Sequence, residues 1–134
     1  MKPEDKDLLL KDLCARLSYG VKVESVFINP DTKEHKSCGI EVFDTTSILM
    51  IRDGLGEFKP YLFPLSSMTE EIEDEIYRET GLYDIFEDNQ IHIEVGTNFA
   101  DVCKLFDILN KYHLDYNGLI PMGLANDATG LNIY

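Results

Sequence analysis

A chain of 134 residues, 44% hydrophobic and 28% charged, is long enough to close a core and too apolar for wholesale disorder. Its net charge of −13 disfavours direct nucleic-acid binding, because phosphate affinity depends on lysine and arginine displacing counterions. No apolar leader follows Met1-Lys2-Pro3, no apolar run approaches the ~20 residues of a membrane span, and Cys14, Cys38 and Cys103 are too widely spaced for a metal knuckle. Reduced thiols and a cytoplasmic location are the expectation.

Taken in order, Pro3 with Glu4 and Asp5 opens a helix predicted over Glu4–Ser18. Leu9, Leu13 and Leu17, flanked by Leu10 and Cys14, form its buried face, and Gly20 stops it. Val21–Ile28 alternates and is β-branched, so a strand is expected, followed by an Asn29-Pro30-Asp31 turn and a polar loop to Ser37. Gly39–Phe43 and Ser47–Arg52 read as two more strands of an antiparallel meander. The run Ile48-Leu49-Met50-Ile51 belongs at its centre.

Pro60 and Pro64 then argue against a helix or central strand, leaving Phe58–Ser67 as an extended aromatic connector. Ser67 or Thr69 caps a helix that ends at Gly81, with Met68, Ile72, Ile76 and Tyr77 as its only apolar stripe. A peripheral lid helix is predicted. Leu82–Gln90 is a loop carrying an apolar patch of Leu82, Tyr83, Ile85 and Phe86, and Ile91–Val95 alternates as a fourth strand. Thr97 or Asn98 caps a final helix over Phe99–Tyr112. Its stripe of Phe99, Val102, Cys103, Phe106 and Leu109 or Asn110, widened by Leu105 and Ile108, places it across the sheet. The sum is one α+β domain spanning residues 1–134: an antiparallel sheet of about four strands, packed by N- and C-terminal helices, with an acidic helix at the side.

Ser66–Asp101 contains eleven acidic residues and a single basic one, Arg78, and so carries most of the net charge. Glu70, Glu71, Glu73, Asp74, Glu75 and Glu79 lie on one predicted helix, without the glycine and alternating Asp or Asn of a calcium loop. They form a candidate surface for a basic protein partner. A second cluster, His113, Asp115 and Tyr116 with Tyr61, could line a pocket, since an extended His-x-Asp puts carboxylate and imidazole on one side. The same residues suit a helix end, with His113 in the last turn and Asn117-Gly118 as a turn. No phosphate-cradling loop, nucleophile elbow, paired metal ligands or cofactor motif is present, so neither metal nor cofactor is expected.

Two long phrases carry a likeness. Lys59–Glu71, and Asp107–Tyr134 with its Asp115-Tyr116-Asn117-Gly118-Leu119-Ile120-Pro121-Met122-Gly123-Leu124-Ala125 core, resemble a family of small uncharacterised proteins of Bacteroidota phages, prophages and mobile elements. Leu8–Leu17 and Gly20-Val21-Lys22 fit the same family. The resemblance implies a mobile-element context and transfers no activity or catalytic residue. Members of that family typically have a basic or aromatic residue where Asn117 stands and a tryptophan near Ile108, and this chain has no tryptophan.

Two functional readings follow. One is a non-enzymatic accessory protein acting by protein–protein contact through the acidic surface, with Phe58–Phe63 or Leu119–Tyr134 as apolar anchors that could also serve self-association. The other is a small enzyme or ligand-binding protein with a pocket at Tyr61, His113, Asp115 and Tyr116.

Overall fold

A computed structural model describes residues 2–134. Among them run α1 (Pro3–Ala15), β1 (Lys22–Ile28), β2 (His35–Val42), α2 (Thr45–Arg52), β3 (Gly56–Leu62), α3 (Glu70–Thr80), β4 (Phe86–Glu87), β5 (Gln90–Ile91), α4 (Phe99–Lys111) and β6 (Asn126–Asp127). The fold is α+β with N- and C-terminal helices, as the sequence patterns predict. Its sheet is mixed rather than wholly antiparallel, in the order β2-β1-β3-β6 with β6 parallel to β3.

The largest departure is Thr45–Arg52, which is helix α2 and not a strand. Asp44 and Ser47 form a reciprocal capping box: Ser47 N–H donates to Asp44 Oδ1 at 3.0 Å, and Asp44 N–H donates to Ser47 Oγ at 3.3 Å. A short apolar run does not distinguish strand from helix by periodicity, so the cap decides. Ile48, Met50 and Ile51 therefore pack against the core from outside the sheet rather than forming its centre, and Leu49 is exposed. The β1–β2 hairpin stands without a third meander strand, and β2 begins at His35, inside the stretch expected to be loop.

The interior position falls to β3, in the segment whose prolines argued against it. Pro60 lies opposite Val23, and Ile28 N–H donates to Leu55 O at 2.8 Å in the same register. Hydrogen-bonded pairs alternate along an antiparallel ladder, so Val23–Pro60 is a pair that exchanges no bonds. The missing N–H costs the ladder nothing on the β1 side. On the other side β6 begins only at Tyr61.

Ile91–Val95 is not a fourth strand of this sheet. Only Gln90–Ile91 pairs, with Phe86–Glu87, across a tight turn in which Asp88 and Asn89 take left-handed φ of 52° and 60°. The true fourth strand is β6, in the segment 119–134 read above as a possible exposed anchor. That segment is part of the core: Leu119 is fully buried, and Leu124, Ala125 and Ala128 nearly so.

Two apolar clusters result. Leu13 of α1, Val21, Val23, Phe43, Phe58, Leu62 and the Leu119–Ala125 segment form one, with Phe43 edge-on to Phe58 at 5.9 Å. The other joins Ile76 of α3, Ile85 and the α4 face Leu105, Ile108 and Leu109. Consequently α4 packs on α3, not across the sheet, and α3 is the peripheral acidic helix the sequence predicts, with Ile76 its one fully buried side chain. The first turn of α4 is exposed, with Phe99 at 81%, and all three cysteines are exposed, Cys14 included. No helix among the described residues is long and apolar enough to cross a membrane.

Candidate functional site

Helix α3 is amphipathic with a narrow apolar side. Thr69, not Ser67, is its N-cap, accepting from Ile72 N–H at 3.3 Å, and Gly81 ends it with a left-handed φ of 74°. Glu70, Glu71 and Glu73 fall in the first turn, where exposed amides favour negative charge. Ile76 is buried at 1% exposure, whereas Tyr77, expected in the apolar stripe, is 58% exposed. On a helix Tyr77 is the i+4 and i+3 neighbour of Glu73 and Asp74, so an aromatic ring rises among the acids.

The six predicted acids divide into two groups. Glu75 turns toward α4: Lys111 Nζ donates to its Oε2 at 2.5 Å and the Tyr112 hydroxyl to its Oε1 at 2.6 Å. Lys111, followed by Tyr112, holds the Glu75 carboxyl below the usual range. Glu75 therefore ties α3 to α4. Glu70, Glu71, Glu73, Asp74 and Glu79 are exposed, and none forms an ion pair among the described residues.

The second predicted set is brought together, but inside the protein. Asp115 directs both carboxylate oxygens onto backbone, accepting from Leu119 N–H at 2.8 Å and Ile120 N–H at 2.9 Å. It thereby fixes the turn that the sequence Asn117-Gly118 makes. Its carboxylate does not orient His113, whose Nδ1 is buried without a hydrogen-bond partner among the described residues. The His113 backbone takes a left-handed φ of 57°, and its ring stacks on Tyr134 with centroids 3.7 Å apart and planes 16° from parallel. Burial first, then the positive charges of Arg16 and Lys22, lower the imidazole pKa to about 4, so it is neutral near pH 7. The Tyr116 hydroxyl donates to Asn110 Oδ1 at 2.7 Å, and its ring meets Phe106 edge-on.

Two partners of this centre were not singled out in the sequence. Arg16 and Asp12 form a fully buried ion pair, with Arg16 Nε donating to Asp12 Oδ1 at 2.6 Å. Arg16 Nη2 also donates to Leu114 O at 2.8 Å, its guanidinium lies 4.6 Å from the Tyr116 ring centroid, and Asn117 Nδ2 donates to Asp12 Oδ2 at 2.9 Å. Their i,i+4 spacing was a legible signal for the pair, though not for its burial.

Tyr134 is the other partner. Its hydroxyl accepts from Lys22 N–H at 2.8 Å and donates to Tyr61 O at 2.7 Å. In the β1–β3 register Lys22 faces Tyr61, so the phenol enters where the next ladder bond would form. One step on, Phe63 N–H donates to His113 O and Asp115 N–H to Phe63 O, both at 2.8 Å. Tyr61, His113, Asp115 and Tyr116 thus join β3, α1 and the C-terminal segment. None of them lines any of five surface clefts found among the described residues. Comparison with protein-family models, with curated proteins and with solved structures finds no match to this chain.

Proposed function

We propose that this is a non-enzymatic accessory protein, of a phage or mobile element, that acts by protein–protein contact and presents the acidic face of α3 to a basic partner. The observation that carries the reading is the division of the α3 acids. Glu75 alone of the six is committed to the fold, and Glu70, Glu71, Glu73, Asp74 and Glu79 are exposed and form no ion pair among the described residues. Unpaired carboxylates held on a rigid helix repel one another, and a basic surface docking there relieves that repulsion and is steered toward it. The mobile-element context comes from the likeness of Lys59–Glu71 and Asp107–Tyr134 to the family described above.

The test is capture from a Bacteroidota host lysate at low and high salt. It compares the native chain with a variant carrying Glu70→Gln, Glu71→Gln, Glu73→Gln, Asp74→Asn and Glu79→Gln. Retention of a basic partner by the native chain at low salt, lost in the variant and at high salt, is the expected outcome. Absence of any partner at low salt, or equal capture by both chains, refutes the proposal. Circular dichroism of the variant controls for the loss of first-turn charge, which contributes ~0.3–1 kcal/mol per group to a helix.

A further inference from the structure

Beside the acidic face lies a cleft of about 270 Å³ between α3 and the segment after it. Its walls include two tyrosines, Tyr77 at 58% and Tyr83 at 72% exposure, their rings edge-to-face with centroids 6.0 Å apart. Glu73, Asp74 and Asp84 also line it, and no lining residue is basic. Asp84 sits at a left-handed φ of 52°, between the exposed Tyr83 and the buried Ile85. The segment is anchored on its apolar side, so the tyrosines stand on fixed backbone rather than on a free loop.

Two large aromatic rings exposed to water and held against each other supply π faces for a cation, and carboxylates beside them supply counter-charge. We infer that this cleft is the anchor point for an arginine side chain of the basic partner, the guanidinium lying against Tyr77 and Tyr83 and donating to the surrounding carboxylates. The inference rests on the acidic-face reading and deepens it by naming the recognised group. A planar guanidinium stacks on an aromatic ring and forks to a carboxylate at once, which the compact, strongly hydrated ammonium of lysine does less well. The volume admits one side chain and no folded element. Ile76, Leu82, Ile85 and Phe86 in the same lining supply apolar surface for the stem of the arginine.

The test is an NMR titration of the ¹⁵N-labelled full chain with the peptide Gly-Arg-Gly-Arg-Gly, with its citrulline counterpart and with its lysine counterpart. Amide shifts confined to Tyr77 and Leu82–Phe86, produced by the arginine peptide and absent with citrulline, are the expected result. Tyr83→Ala weakens the interaction about two- to fivefold, and the Tyr77→Ala/Tyr83→Ala double variant about tenfold. Both rings are mainly exposed, so the variants retain the fold. Equal titration by the double variant, by the citrulline peptide or by the lysine peptide overturns the inference. If the double variant still captures the basic partner as the native chain does, the arginine anchor fails while the acidic face stands. If the five-acid variant also captures it unchanged, both fail.

Discussion

His113 makes the stability of this protein depend on pH in a defined window. The imidazole is neutral in the folded state, with its pKa lowered to about 4 from an ordinary 6.5 by burial and by Arg16 and Lys22. The unfolded chain takes up the proton at the ordinary value. Stability from this group is therefore fully present above pH 6.5 and is lost as pH falls toward 4. At about 1.4 kcal/mol per pH unit between those values, the loss is about 2 kcal/mol by pH 5 and about 3 kcal/mol by pH 4. That is a large part of the ~5–15 kcal/mol available to an ordinary domain. Acidification also protonates the surface carboxylates and relieves their mutual repulsion, which works in the opposite direction. The two effects separate in a comparison with His113→Asn. Asparagine tolerates the left-handed φ of 57° and does not titrate. It forfeits the stacking on Tyr134, so its stability is lower at pH 7 but flatter toward acid. Urea unfolding of both chains at steps between pH 7 and 4 measures the difference. Parallel pH profiles would refute the reasoning, because they would mean that His113 is charged, or free to become so, in the folded protein.

Two further outcomes follow from the same centre. Removing one partner of the buried Asp12–Arg16 pair, as in Asp12→Ala, leaves a guanidinium without its counter-charge and costs about 3–5 kcal/mol in urea unfolding. The apolar double variant Asp12→Leu/Arg16→Met costs less than that single change, and a larger cost would contradict the desolvation argument. Tyr134→Phe keeps the ring on His113 but takes away the hydroxyl between Lys22 N–H and Tyr61 O. A loss of about 1–3 kcal/mol is expected, with faster hydrogen exchange at the Lys22 amide as its local sign.

What the sequence determined by itself is local. The stop at Gly81 and the extent of α3 and α4 depend on a few adjacent residues whose backbone preferences no distant contact overrides, whereas α1 ends at Ala15, three residues short of the predicted Ser18, and Gly20 closes only the tight turn Leu17–Tyr19 after it. The α+β class and the concentration of charge on α3 were legible for the same reason. The position of the strands was not. Thr45–Arg52 is a helix because Asp44 and Ser47 cap it, and Pro60 is tolerated in β3 because the register leaves its nitrogen at a pair that exchanges no bonds. Register and strand order follow from which apolar faces meet, which no window of sequence contains. The candidate sites divide in the same way. His113, Asp115 and Tyr116 were visible as a cluster of polar and aromatic types, but only packing against α1 and Tyr134 made them interior ties. Glu75 and Glu73 are alike in sequence. Lys111, thirty-six residues away, decides that one of them holds the fold and the other is left for a partner.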